Sequence, residues 1–326
     1  MRVLVTGGTG HSGSYIVPEL IAAGHAVTGL ARSDTAAAAL SALGAKARRG
    51  DLQDLDGLKE AAADSDGVIH VAHRQDLLPS GGIDAVAAAE LPVMFAYGEA
   101  LAGTGKPLVA AGSIGSPGQG FLGRAATEED PALPGGDEHK GTLRARNVVE
   151  TTVIGLAEQG VRSSVVRIAN IMHSTTDRAG FLPTLIALAK EKGFVGYPGD
   201  GANLWNAVHV RDAASLFRLA LEKGPAGRYW HAVEDGGHPV PRDRRGHRQP
   251  PGPARRERTH GRADASGILR VPREHSHAEL PGVQPHHQPD SRLGTRPAQP
   301  ARRLGQRPLF PGRLTAGTLS RTGSGK

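Results

Sequence analysis

Short apolar runs alternate with stretches of helical period through the first 235 residues. Val3–Val5, Ala26–Ala31, Lys46–Arg49, Gly67–Ala72, Pro107–Ala111, Ser163–Ile168 and Arg228–Val233 predict strands, and the most apolar of them suit burial on both faces. Helical spacing falls between them, near 14–23, 34–43, 54–63, 82–104, 138–159, 181–192 and 211–223. Regular alternation of this kind predicts an α/β fold, a doubly wound parallel sheet with helices on both faces and right-handed crossovers. Ligands in such sheets bind at the carboxyl ends of the strands, where the strand order reverses.

The pattern stops at about Gly236, which divides the chain into residues 1–235 and a tail of residues 236–326. The tail holds 13 of the 23 prolines, 7 of the 15 histidines, 17 arginines against one lysine, and a single aromatic residue, Phe310. A segment so poor in apolar residues cannot bury enough surface to offset chain entropy, so disorder is expected there. The charge divides at the same point. Overall the chain carries +7 with a pI near 10, which suggests a nucleic-acid binder at first sight. The tail alone has 18 basic and 6 acidic residues, a net +12, whereas residues 1–235 have 21 and 26, a net −5. The ordered part is therefore acidic, and no nucleic-acid partner is expected.

Arg, Pro, Gly and His with almost no Lys is what GC-rich codons yield when read out of register. Read one nucleotide later, Val240–Gly252 permits Phe-Arg-Glu-Ile-Ala-Glu-Val-Ile-Gly-Asn-Arg-Leu, which has the apolar spacing of an amphipathic helix. The same shift over Pro300–Pro311 permits Leu-Leu-Asp-Asp-Leu-Asp-Asn-Gly-His-Tyr-Phe. We hypothesise a change of reading frame near Gly236–Gly237; an uninterrupted frame in coding DNA from independent isolates would refute it.

With no cysteine in the chain, disulfides and thiolate metal sites are excluded. The N-terminus enters a strand directly, without a charged and then apolar leader, and no apolar stretch approaches the roughly 18 residues of a membrane span. A cytoplasmic protein with no membrane partner is expected.

The strongest chemical signal is the loop after the first strand, Gly7-Gly-Thr9-Gly10-His11-Ser12-Gly13, with Tyr15, Ile16, Leu20 and Ile21 in helical register behind it. Gly7 suits a tight turn, Gly10 lets backbone approach a pyrophosphate, and Gly13 lets the helix pack close. The helix N-terminus then offers unpaired N–H groups and a positive dipole end to phosphate. The second strand ends in Arg32-Ser33 with no acid before Asp34. A guanidinium and a hydroxyl suit a 2′-phosphate, whereas an NAD site usually has an acid for the ribose 2′-OH. NADP is therefore favoured, with NAD as the alternative; Arg32 could instead be a solvated loop cation.

Thr6-Gly-Gly-Thr-Gly-His-Ser-Gly13, Gly50-Asp51-Leu52, Val68-Ile-His-Val-Ala72 and Val208-His-Val-Arg-Asp212 together resemble the extended or atypical short-chain dehydrogenases/reductases of the NAD-dependent epimerase/dehydratase family. The resemblance covers residues 1–235 and implies a Rossmann-type fold and a small-molecule carbonyl or hydroxyl substrate. The out-of-frame strings also look like that family's C-terminal helix and terminal Gly-His-Tyr-Phe. His11-Ser12 departs from the two apolar residues usual there. The resemblance makes Asp51 and Leu52 an adenine contact, although Asp51 could equally cap the following helix. It sets Ala72 and His73 beside the nicotinamide ribose. His70 and His73 lack a supporting carboxylate, so no metal is expected.

The same resemblance implies a Ser or Thr after the fifth strand and a Tyr-x-x-x-Lys on the next helix. Ser113 fits the first place, or simply belongs to the turn Gly112–Gly115. If Glu150 aligns with the acid that commonly follows the family's lysine, Thr142 stands for the tyrosine and Arg146 for the lysine. Threonine is far too weak an acid to replace a phenol, and arginine only holds charge. Arg167 ends the sixth strand, with Asn170 and His173 beyond it; in this fold the place often faces cofactor or substrate, and any of the three could instead satisfy loop backbone groups. Asn206, His209 and Asp212 lie where a substrate-side loop enters a helix, with Asp212 as a possible cap. Two functions fit: an oxidoreductase, or a cofactor-binding sensor without turnover. An inactive, frameshifted product is the third reading.

Overall fold

The structure, a computed structural model, describes residues 1–117, 122, 124–178, 180–196, 204–234 and 238–239. The tail expected to be disordered lies, apart from His238 and Pro239, outside the described residues, as do Tyr197 and the boundary at residues 235–237.

Seven strands form one parallel sheet: β1 (Arg2–Thr6), β2 (Ala26–Ala31), β3 (Lys46–Arg49), β4 (Gly67–His70), β5 (Pro107–Ser113), β6 (Arg162–Ile168) and, at the far edge, Arg228–Ala232. The edge strand is β10, because three short strands precede it: β7 (Ile171–His173), β8 (Leu204–Trp205) and β9 (Ala207–His209). The spatial order is β10-β6-β5-β4-β1-β2-β3. Strand order reverses between β1 and β4, whose ends are set by the pairing of Thr6 with His70. This is the doubly wound sheet that the alternation predicts.

Alternate residues of β1 explain the layers. Val3 and Val5 face one side, with Ile16, Val17 and Leu20 of α1 (Gly13–Ala22), Leu40 of α2 (Asp34–Ala42) and Phe217 and Leu221 of α7 (Val210–Lys223). Leu4 faces the other, with Leu58 of α3 (Leu55–Ala63), Met94, Tyr97 and Leu101 of α4 (Leu78–Leu101), and Val149 and Val153 of α5 (Asn147–Gly155). Each such fully buried side chain contributes ~1.5–3 kcal/mol, so both helical layers are fixed on the sheet by the strands' period of two. The remaining helix, α6 (Phe181–Lys192), buries no residue.

Two expectations change. The helix predicted over 138–159 is broken into 3₁₀ turns at Asp137–His139 and Leu143–Arg146, then α5, then a 3₁₀ turn at Leu156–Gln159. Thr142 is extended (φ −118°, ψ 158°), which interrupts the ladder before α5. The helical run Gln75–Leu101 is, contrary to the expectation from hydropathy, long and apolar enough by length and composition to cross a membrane. In this fold it is the crossover from β4 to β5: Val93, Met94, Tyr97 and Leu101 are buried in the core, Glu90 is fully buried, and Gly82 leaves helical geometry within it.

Candidate active site

The carboxyl ends of β1 and β4 create a cleft floored by the glycine loop. Gly7 has φ 77°, and a Cβ there would stand 2.6 Å from the Ala72 amide nitrogen. A Cβ on Gly13 would lie 2.1 Å from the Gly7 carbonyl oxygen and 2.5 Å from Gly8 Cα. Only glycine lets the loop close on itself and on the end of β4. Gly10 donates its N–H to the Gly7 carbonyl (3.0 Å), and Thr9 and Gly10 are exposed on the outer side. Helix α1 has no side-chain cap and no acid in its first turn, which leaves its positive end to an anion. The cradle fits the pyrophosphate of a dinucleotide.

His11 and Ser12 turn away from the role of a simple apolar filler. His11 Nε2 shares a hydrogen bond with Ser174 Oγ (2.8 Å), Ser12 Oγ reaches Met172 Sδ (3.8 Å), and Tyr15 Oη pairs with Thr176 Oγ1 (3.0 Å). The loop's departure from apolar residues is thus matched by partners in β7 and just after it.

At the end of β2, Arg32 is exposed and forms no ion pair with a described residue; its positive charge contributes to holding Asp76 below the usual carboxylate range, behind the larger effect of Arg74. Ser33 is the N-cap of α2, accepting the Ala36 N–H (3.1 Å). Its hydroxyl hydrogen remains available to donate. Asp51 accepts the Gln53 N–H (2.9 Å) in a local turn, and Asp54, not Asp51, caps α3 through the Gly57 N–H (3.0 Å). Leu52 is buried in the core, so its side chain makes no adenine surface. This corrects the expectation for that residue.

Below the cleft, Thr6 Oγ1 and His70 Nδ1 lie 2.8 Å apart. Burial pushes His70 down to about 3, with the Arg146 and His73 charges adding to the shift. His73 is pushed down to about 4, first by desolvation and then by Arg146. Both imidazoles are neutral at pH 7. No group of three or more metal-ligating side chains occurs among the described residues.

Ser113 is exposed at the end of β5, and its Oγ accepts the Gly115 N–H (3.2 Å). Its backbone N–H donates to Glu150 Oε1 (2.8 Å), which also accepts from Ser116 Oγ. Thr142 Oγ1 donates to the His139 carbonyl (2.8 Å). Arg146 Nε donates to Glu90 Oε2 (2.7 Å) and its Nη2 to the Ala111 carbonyl of β5 (3.3 Å). Burial raises the Glu90 pKa against the pull of Arg146. Arg146 is therefore anchored from below, beside the β5 end that carries Ser113.

Arg167 does not face the cleft. It is fully buried, its Nε donates to Glu150 Oε2 (3.1 Å), its Nη1 donates to the Asp130 carbonyl (2.7 Å), and its guanidinium lies 3.6 Å from the Tyr229 ring centre. Its place at a strand end suggested a ligand contact, but its partners are distant in sequence on both sides, where no local pattern shows them. Asn206 is likewise structural, its Oδ1 accepting the Asn170 N–H (2.8 Å), and His209, rather than Asp212, caps α7. Glu90 was not anticipated from sequence; of the three acids of α4, Asp84, Glu90 and Glu99, it alone stands on the buried face with Val86, Val93, Met94 and Tyr97.

The epimerase model, described as the NAD dependent epimerase/dehydratase family, matches residues 3–232. The chain belongs to the NAD-dependent epimerase/dehydratase family. An uncharacterised protein of Schizosaccharomyces pombe is 41% identical over 242 residues, 74% of this chain and 77% of that one. The 4-hydroxy-2-methyl-3-oxo-4-farnesyl-3,4-dihydroquinoline-1-oxide ketoreductase of Stigmatella aurantiaca is 30% identical over 255 residues, 74% and 70% of the two chains. Among solved structures, the UDP-glucose 4-epimerase of Thermus thermophilus in complex with NAD superposes with a TM-score of 0.57 at 26% identity, covering 73% of this chain and 79% of that one. The Rossmann-type fold and a nicotinamide-dinucleotide family are thereby established.

Proposed function

We propose that the chain is an NAD(P)-dependent oxidoreductase of the short-chain dehydrogenase/reductase type, acting in the cytoplasm on a small carbonyl or hydroxyl substrate, with NADP preferred to NAD. The observation that carries this reading is the glycine cradle at the β1–β4 reversal with exposed Arg32 at the end of the adjacent β2. Gly7, Thr9, Gly10, His11, Ser12 and Gly13 take the pyrophosphate, Arg32 and Ser33 the 2′-phosphate, Asp51 the adenine side, and Ala72 and His73 the second ribose. A ketoreductase among the relatives supports reduction of a carbonyl. The bound dinucleotide supplies or accepts hydride. Ser113 orients the substrate oxygen with its hydroxyl, and Arg146, held by Glu90, keeps positive charge beneath it. Thr142 is too weak an acid to lead proton transfer, so the proton comes from water at the exposed Ser113 and Thr142.

The second reading is a dinucleotide sensor without turnover. It is favoured by one observation: Thr142 and Arg146 are both tied to protein partners, His139 and Glu90, in place of a phenol and an ammonium. NADPH consumption across a panel of aldehydes and ketones decides between them. Turnover is expected; tight binding with no turnover in either the written chain or a frame-restored one would replace the enzyme with the sensor.

A further inference from the structure

Two adjacent strands carry polar side chains out of the sheet at the same level. β4 and β5 run parallel with His70 opposite Ala110, so His73 and Ser113 each stand three residues beyond that pair. Neighbouring strands lie about 4.8 Å apart. On the β4 side, a Cβ on Gly7 would stand 2.6 Å from the Ala72 amide nitrogen, which seats the residue before His73 on the glycine loop. On the β5 side, Arg146 is bonded to the Ala111 carbonyl, two residues before Ser113. The positive charge of Arg146 acts on His73 as it does on His70. An imidazole, a hydroxyl and a guanidinium therefore gather at the carboxyl ends of β4 and β5.

The other groups near this place are committed elsewhere or cannot exchange a proton near neutral pH. Glu90 and Glu150 are buried in ion pairs with Arg146 and Arg167, and arginine stays charged. Thr142 spends its hydroxyl hydrogen on the His139 carbonyl. His70 is buried, with its Nδ1 on Thr6. His73 differs from all of these. It is exposed, and its ring makes no hydrogen bond or ion pair with a described residue. Arg146 and His70 are the charged and titratable groups that bear on it. Desolvation first, and Arg146 second, push its pKa down to about 4, so at pH 7 the ring is neutral and has a lone pair ready to accept a proton.

We propose that His73 is the acid–base residue of the reaction, doing what Thr142 is too weak an acid to do. The inference rests on the oxidoreductase reading. In alcohol oxidation the substrate hydroxyl, oriented by Ser113, gives its proton to the His73 ring. The hydrogen on the same carbon leaves with its electron pair to the oxidised nicotinamide, so the products are a carbonyl, a reduced nicotinamide and an imidazolium. In carbonyl reduction the steps run backwards: hydride reaches the carbonyl carbon and the imidazolium protonates the oxygen. Exposure lets water restore the ring after each turnover, so water remains the source of the proton and His73 is its carrier. Arg146 keeps its charge throughout and opposes the imidazolium, which favours giving the proton up.

The test is His73→Gln, which keeps an amide to bond a ribose hydroxyl but cannot carry a proton. General acid–base catalysis contributes about 10²–10⁴-fold, so kcat should fall at least ~100-fold in both directions while the NADPH dissociation constant, from fluorescence titration, changes less than about threefold. Wild-type kcat/KM for reduction should fall about tenfold per pH unit above about pH 5, as the imidazolium fraction does, and His73→Gln should show no such slope. Free imidazole added to His73→Ala should restore turnover in proportion to its concentration, which a merely structural role would not allow. Undiminished turnover by His73→Gln, a pH slope shared by both chains, or lost activity that imidazole does not restore would each overturn the inference and leave the oxidoreductase reading standing. A wild-type chain that binds NADPH without turnover would overturn both in favour of the sensor.

Discussion

Replacing Arg167 by methionine separates a structural role for that side chain from a cofactor role. The substitution leaves the Glu150 carboxylate, 1% exposed, without its counter-ion. Removing one partner of a buried ion pair costs ~3–5 kcal/mol. Glu150 keeps the Ser113 N–H and the Ser116 hydroxyl as donors, which favours the lower end; the lost contact with the Tyr229 ring, 3.6 Å away, works the other way. A loss of about 3 kcal/mol corresponds to a fall in Tm of about 6–12 °C for a domain of this size. Urea and thermal melts followed by far-UV circular dichroism measure it, and Arg167→Met/Glu150→Gln should recover part of the loss because the stranded charge is gone. NADPH titration of the folded single variant should give an unchanged affinity. Wild-type stability combined with weakened NADPH binding would refute the structural assignment and return Arg167 to the cleft.

Two further predictions concern the cleft and its floor. Folded His70 takes up its proton only near pH 3, whereas the unfolded chain does so near 6.5; folding thus excludes a proton, and stability should fall by up to about 1.4 kcal/mol per pH unit as pH drops from 6.5 toward 3. His70→Gln should flatten that slope in pH-dependent denaturation, and an identical slope would rule His70 out as its source. Gly13→Ala puts a methyl 2.1 Å from the Gly7 carbonyl oxygen, so the loop must open; dinucleotide binding should drop at least tenfold by fluorescence titration, and full retention would show that the cradle is not the site.

Strand and helix order were legible because each element carries its own period. The Ala26–Ala31 and Lys46–Arg49 strands and the Phe181–Lys192 helix fall where the sequence places them. The glycine loop was legible in part for the same reason: Gly13 meets Gly7 and Gly8 within six residues, whereas the contact of Gly7 with Ala72 at the end of β4 is long-range. Long-range pairing was not. The partners of Arg167, the burial of Leu52 and the Arg146–Glu90 pair depend on which strands become neighbours, and hydropathy along the chain carries no record of that. The capping of α3 by Asp54 rather than Asp51 turned on three residues, within the ordinary uncertainty of helix ends. The break at Thr142 follows Gly141, at φ 75°, and residues 135–142 hold no apolar side chain whose spacing would test a helix there.

The central claim is that the cleft holds a nicotinamide dinucleotide whose 2′-phosphate is gripped by Arg32. Dissociation constants of NADPH and NADH for the wild-type chain and for Arg32→Glu test it most directly. A charge-assisted contact contributes ~1.5–3 kcal/mol, so the substitution should weaken NADPH roughly 10- to 150-fold and leave NADH nearly unchanged. Equal losses for both, or no binding of either by the wild-type chain, would contradict it.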